Sequence, residues 1–337
     1  MQNTKRLNFY PAHGLDSYTG YGRMELGIAK GLQEAEVQVL LYPDRKAPML
    51  MVNSSLQLLN APHVNKTRLW AFNMIETNKV DPAWVQKINQ VCERLLVPCP
   101  PMIDIYQESG VTVPIDFVPL GIDLFDAPPL DDLHMLTGQE RPFNFLTYSY
   151  GDVRKGADLA VKAFEDAFAG DPQYRLIIKA REGYENPWLA RLRENPQIEI
   201  IGGRQSEADW QALMRRAHCF VFSSRGEGWG FPPRELTLMG VPTIATQWLG
   251  MWDVDQWGIP LHFSEMTLCS FQDYQANAKD GLWSEPDTTH LVTQMRWVVD
   301  HYDAARTIAQ QGRDYLLRNF SWHKIGEQIK SLVERYG

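Results

Sequence analysis

Residues 223–235 read Ser223-Ser224-Arg225-Gly226-Glu227-Gly228-Trp229-Gly230-Phe231-Pro232-Pro233-Arg234-Glu235. The apolar run at 219–223 ahead of them predicts a strand. Pro232 and Pro233 predict the start of a helix over 232–239, because proline fits a first helical turn, where its missing N–H is not needed. Between strand and helix lies a turn rich in glycine, which lets a backbone approach a ligand with no Cβ in the way. A strand, a glycine turn and a helix start together suit a pyrophosphate, since the helix N-terminus offers open N–H groups and the positive end of its dipole. Glu227 falls in the turn and Glu235 in the first helical turn, eight positions on. Carboxylates accept hydrogen bonds from the vicinal hydroxyls of sugars and ribose. On the residues alone a plainer reading stands beside this one, with Glu227 a solvated turn residue and Glu235 an acid favoured by its helix dipole.

Outward from this stretch, short apolar runs alternate with helical patterns, the mark of βαβ units and parallel sheets. Strands are predicted at 7–10, 37–42, 69–74, 95–98 and 115–119. A helix at 23–33 presents Met24, Ile28, Ala29 and Leu32 on one face, and another opens at Asp81-Pro82. A second series follows, with strands at 143–148, 175–180, 198–201, 219–223 and 242–246 and helices at 156–168, 207–216 and 232–239. From about Asp287 the chain reads as helical, ending in a helix over 322–335. Residues 126–141, acidic and proline-bearing, read as an interdomain linker. The class is α/β with two Rossmann-like domains, which suits a chain of 337 residues.

Composition narrows the functions. The net charge of −8 lacks the basic excess of an obligate nucleic-acid binder. Cys92, Cys99, Cys219 and Cys269 form no CxxC pair and predict reduced thiols in a cytoplasmic setting rather than a zinc site. No apolar run reaches membrane-spanning length, and the opening residues lack the apolar core of a signal peptide. Asp253-Val254-Asp255 has the DxD form of a metal motif but stands in the wrong fold context, so no metal is assigned. The eleven tryptophans offer flat stacking surface, most of it expected in cores.

The 223–235 stretch resembles the Glu-x7-Glu motif of the retaining glycosyltransferases of family 4, here Glu227 to Glu235. Residues 216–223 (RAHCFVFS) resemble the strand before that motif, and residues 240–246 (GVPTIAT) the strand after it. Residues 118–123 (VPLGID) resemble the end of the family's N-terminal domain, and Arg154-Lys155-Gly156 its donor-phosphate loop. The resemblance implies the GT-B fold, two Rossmann-like domains facing each other across a cleft. It implies an acceptor domain over 1–127, joined by a C-terminal helix at 322–337, and a nucleotide-sugar donor domain over 128–321. It also implies roles. Glu227 would hold hydroxyls of the donor sugar and Glu235 the ribose. Lys155 would neutralise the leaving diphosphate, and the backbone of Gly228, Trp229, Gly230 and Phe231 would face the donor. Where the family usually has an arginine this chain has Tyr150, with Arg154 the candidate to replace it. Gly22 lies where the family has a glycine loop touching donor phosphate, although a plain tight turn explains Gly20 and Gly22 equally. His13, Arg23 and Glu76 are the candidates for the acceptor side, His13 also reading as a structural histidine and Glu76 as a strand-end turn residue.

The activity so implied is metal-independent, retaining transfer of a hexosyl or pentosyl group from a nucleotide sugar, expected to be UDP-linked, with no further cofactor. The acceptor is unidentified, and a modified nucleic-acid base stands beside saccharides and lipids. A non-catalytic subunit with the same fold is the alternative, supported by Tyr150. A nicotinamide oxidoreductase would need a third glycine where Glu25 stands.

Overall fold

The structure, a computed structural model, describes residues 6–15, 19–40, 44, 46–52, 55–59, 68–122, 136–149, 153–181, 187–203, 205–270 and 278–337. Tyr150 and most of the 126–141 linker lie outside the described residues. In chain order the first half runs β1 (Arg6–Tyr10), α1 (Gly20–Glu34), β2 (Gln38–Leu40), β3 (Met49–Val52), α2 (Leu56–Leu59), β4 (Leu69–Phe72), α3 (Pro82–Val91), β5 (Cys92–Val97), α4 (Pro100–Glu108) and β6 (Ile115–Phe117). The second runs β7 (Phe143–Ser149), α5 (Ala157–Phe168), β8 (Tyr174–Ala180), α6 (Pro187–Leu192), β9 (Ile198–Ile201), α7 (Glu207–Met214), β10 (Cys219–Phe222), α8 (Phe231–Leu238) and β11 (Thr243–Thr246). It continues with α9 (Val254–Trp257), β12 (Ile259–Leu261), β13 (Phe263–Leu268), β14 (Leu282–Pro286), α10 (Thr288–Asp300), α11 (Tyr302–Asn319) and α12 (Trp322–Tyr336).

Two compact units result. One comprises Met1–Asp123, Leu268–Trp283 and Leu317–Gly337, the other Leu124–Thr267 and Ser284–Leu316. The segment 268–283, which a linear reading leaves in the second domain, thus clusters with the first. It is tied there by backbone bonds: Asn78 N donates to the Leu282 carbonyl (2.8 Å), and Ala278 N donates to the Lys79 carbonyl (3.1 Å).

The first unit holds a six-stranded sheet in the order β2-β1-β3-β4-β5-β6, all parallel. Its central strands β3 (Met-Leu-Met-Val) and β4 (Leu-Trp-Ala-Phe) are apolar and buried on both faces, as parallel sheets covered by helices require. Helix α12 packs on α1, turning Trp322, Ile325, Ile329 and Val333 inward. The two helices meet backbone to backbone. A Cβ on Gly326 would lie 1.9 Å from the Gly31 carbonyl oxygen, and one on Gly31 would lie 2.2 Å from that of Trp322. Only glycine fits a contact that close.

The second unit holds another six-stranded parallel sheet, ordered β12-β11-β10-β7-β8-β9. Phe143, Phe145, Phe164, Phe168, Leu176 and Ile178 centre its core. No helix among the described residues is long and apolar enough to cross a membrane. All four cysteines are buried thiols, and burial pushes Cys92 up to about 12.

His218 closes one end of this core. Its ring stacks on Phe143 at 4.5 Å, its Nδ1 accepts from Asn144 N (3.0 Å), and its Nε2 lies 3.5 Å from a Glu140 carboxylate oxygen. Burial pushes the imidazole down to about 4, against the pull of Glu140. The folded chain therefore keeps His218 neutral while the unfolded chain binds a proton near pH 6.5, so stability present above pH 6.5 is lost as pH falls toward 4. At roughly 1.4 kcal/mol per pKa unit the ceiling is about 3 kcal/mol. Thermal unfolding followed between pH 7 and 4.5 is expected to show a falling midpoint, and His218→Asn a shallower fall. Equal slopes would show that His218 does not carry the effect.

Candidate active site

In an open parallel sheet, ligands gather beyond the carboxyl ends of the strands where the strand order reverses. In the second unit that reversal lies between β7 and β10. The segments leaving those strands are 150–156 and 223–230, the ones the sequence singles out. Gly230, at φ +79°, ends the turn, and Pro232-Pro233 start α8. Across from it, Val153–Lys155 forms a 3-10 turn, followed by Gly156 at φ +67°, the N-cap of α5. A Cβ on Gly156 would lie 1.7 Å from the Ser223 carbonyl oxygen. Glycine at this position is what lets the two turns touch.

The contact brings three charges together. Lys155 Nζ lies 2.6 Å and Arg154 Nη1 3.0 Å from Glu227 Oε1, and Ser224 Oγ donates to the same oxygen at 2.7 Å. Arg154 Nη1 also donates to the Gly226 carbonyl (3.0 Å). All three charged side chains are more than nine-tenths buried. Burial alone would raise the Glu227 carboxyl, but Lys155 and then Arg154 outweigh it and hold the group ionised, below the usual carboxylate range. Glu227 is therefore not a solvated turn residue, nor Lys155 a surface lysine. Both cations meet the same carboxylate oxygen, so the three side chains form one buried charged cluster.

Arg225, which sequence reasoning passed over as a turn residue, fastens this corner. Its Nε and Nη2 bond both oxygens of Glu285 (2.7 and 2.8 Å), and its Nη1 and Nη2 bond both oxygens of Asp158 (3.0 and 2.9 Å). It also donates to the Val153 carbonyl through Nη1 and to the Arg154 carbonyl through its backbone N (2.7 Å), while its own carbonyl accepts from Ser284 N (3.1 Å). Burial disfavours its charge, but bonds to Glu285 and Asp158 prevail and raise its pKa. Bidentate pairs of this kind fix geometry as well as charge.

Glu235 is buried on α8, and Trp210 Nε1 donates to its Oε2 at 3.2 Å. Its neighbour Arg234 is fully buried, bonded to Asp253 (2.7 Å) and the Gly250 carbonyl (3.0 Å), with its guanidinium 3.9 Å from the Trp229 ring centroid. Asp253 also accepts from Trp257 Nε1 (3.0 Å). The Asp253-Val254-Asp255 run thus places one carboxylate in a structural ion pair and the other, Asp255, on the surface. Trp229 packs on Arg234, while Gly228 is buried in the turn and Phe231 opens α8.

In the first unit the strand order reverses between β1 and β3, and His13 lies just beyond β1. His13 Nδ1 meets Glu25 Oε1 at 2.9 Å, its backbone N donates to Glu25 Oε2 (2.8 Å), and Tyr21 stacks on its ring at 4.7 Å. Gly20–Arg23 is not a free loop. It forms the first turn of α1, where Gly22 N donates to the Thr19 side chain (2.9 Å). Arg23 is half-buried on that turn, and Glu76 is buried just past β4.

Residues 145–264, which contain both turns of the corner, match the family model described as "Glycosyl transferases group 1". No curated protein matches the sequence. Among solved structures, Anabaena HepE in complex with UDP-glucose is similar over 98% of this chain and 99% of its own, with TM-score 0.68 and 12% identity. TarM of S. aureus is similar over 92% of this chain, with TM-score 0.65 and 13% identity; the chain spans 58% of TarM. The pneumococcal O-GlcNAc transferase GtfA, solved with UDP and GlcNAc, is similar over 94% of this chain and 60% of its own, with TM-score 0.60 and 15% identity. The chain has the GT-B fold. Its two six-stranded parallel sheets stand one in each unit, and the family match falls on the second.

Glu227→Gln removes the carboxylate charge that buried Lys155 and Arg154 both meet, at a cost of about 3 kcal/mol. Its thermal midpoint is expected to drop, and inorganic pyrophosphate to restore more of it than in the unsubstituted chain; equal pyrophosphate shifts would deny the anion site. Gly156→Ala is expected to unfasten the corner and abolish the pyrophosphate shift, and an unchanged shift would show that the close contact is dispensable.

Proposed function

We propose that this chain is a glycosyltransferase that moves a sugar from a UDP-linked donor to an acceptor with retention at the anomeric carbon. The observation that carries the reading is the burial of Arg154, Lys155 and Glu227 in one hydrogen-bonded cluster at the switch point of the second unit. The fold supports it, as does the family match over the same residues. HepE, with that fold, was solved with UDP-glucose and with UDP and glucose.

In this reading the diphosphate lies against Lys155 and Arg154, a sugar hydroxyl bonds Glu227, and the ribose bonds Glu235. The bond from the anomeric carbon to the phosphate oxygen breaks through an oxocarbenium-like transition state. Negative charge grows on the departing diphosphate, and two fixed cations in a buried site stabilise it with little reorganisation. They do the work a divalent ion would otherwise do. The acceptor attacks from the face the diphosphate leaves, and its proton passes to the phosphate oxygen.

The test is UDP release from UDP-sugars across an acceptor panel. Lys155→Met is expected to lower kcat by a factor on the order of 100 to 1000, chelation of divalent ions to leave the rate unchanged, and the product to keep the donor's anomeric configuration by NMR. A native rate in Lys155→Met would overturn the site, and an inverted product would overturn retention. UDP binding without turnover on any acceptor would favour a non-catalytic subunit.

A further inference from the structure

Arg234, one residue ahead of Glu235, is a fully buried cation that grips the backbone of the Glu227 turn. Long side chains on a helix lean back toward its N-terminus, so from α8 the guanidinium reaches the Trp229 carbonyl, five positions earlier, through Nη1. Nη2 donates to the Gly250 carbonyl (3.0 Å) and to Asp253 Oδ1 (2.7 Å). Trp229, Trp257 and Trp252 pack round the cation, with ring centroids 3.9, 5.0 and 5.8 Å from it. Gly250 is pressed onto the same turn. Its N–H donates to the Glu227 carbonyl (3.0 Å), and a Cβ on it would lie 2.5 Å from that oxygen.

A trans peptide directs its C=O and the following N–H to opposite sides. With the Glu227 carbonyl on Gly250 and the Trp229 carbonyl on Arg234, the amides of Gly228 and Gly230 point away from those partners. We propose that Arg234 is a positioning residue, whose grip on the Trp229 and Gly250 carbonyls holds the amides of the Glu227 turn toward the donor diphosphate. The inference rests on the placement of the diphosphate at this corner, made above. A buried ion pair adds little stability of its own. The planar guanidinium fork bonds several oxygens at fixed angles, which a lysine ammonium does not. A grip of this kind acts on the phosphates and not on the nucleoside, so its loss costs affinity only for ligands that carry the diphosphate.

The experiment compares the binding of UDP and of uridine to the full chain, to Lys155→Met, to Arg234→Lys, and to Arg234→Met combined with Asp253→Asn, with thermal melts to establish that each is folded. The double variant removes both charges of the pair, which a buried site tolerates better than the loss of one, and asparagine keeps an acceptor for Trp257 Nε1. It is expected to bind uridine as the unsubstituted chain does and UDP about tenfold more weakly, as loss of a hydrogen bond to a charged group does. Arg234→Lys is expected to keep the fold and to lower the ratio of the two affinities severalfold. A native ratio in any folded Arg234 variant, or equal weakening of both ligands, makes Arg234 a packing residue and overturns the inference. Lys155→Met separates this claim from the functional reading. It is expected to collapse the preference for UDP, and a preference left intact would mean that the diphosphate lies elsewhere and that the reading itself fails.

Discussion

One oxygen atom, Oε1 of Glu227, receives a lysine ammonium, an arginine guanidinium and a serine hydroxyl within 3.0 Å. Ionised carboxylates are expensive to bury, and so are lone cations. Here each makes the other tolerable. The geometry that lets them meet is set by backbone, through glycine at 156 and the Arg225 bonds to Asp158 and Glu285. Removing one partner of such a set costs more than the set contributes, because the remaining charges stay buried. A cluster of this kind is weak as a source of stability and strong as a fixed electrostatic device.

Its place follows from topology. Both units reverse their strand order, the first between β1 and β3 and the second between β7 and β10. Segments leaving neighbouring strands at a reversal diverge, and the carboxyl ends stand open. In the second unit the opening is lined by the Arg154-Lys155 turn and the Glu227 turn. In the first it is marked by His13, whose ring is held by the buried Glu25.

Much of this was legible in local pattern. The strand at 219–223, the helix opened by Pro232-Pro233, the helix beginning at Asp287 and the inward face of the last helix follow from runs, prolines and period, and each has its counterpart in the structure. The glycine turn and its two acids pointed to the corner. What escaped depends on partners distant in sequence. Arg225 looks like any turn residue until Glu285, 60 positions on, is found beside it. Trp210 reads as one more core aromatic, and Glu25 as a polar residue on an apolar helix face. β3, written Met-Leu-Met-Val, lacks the β-branched signature of a strand. The 268–283 excursion has no compositional break to announce it. Gly20 and Gly22 are poor helix formers, so the pattern starts the helix only at residue 23; the Thr19 cap extends α1 back to Gly20.

A crystal structure with UDP would bear most directly on the central claim. The account places the diphosphate within hydrogen-bonding distance of Lys155 Nζ and the Arg154 guanidinium, with a ribose hydroxyl on Glu235. Diphosphate density seated away from the 153–156 and 223–230 turns, with the Glu227 cluster untouched, would contradict it.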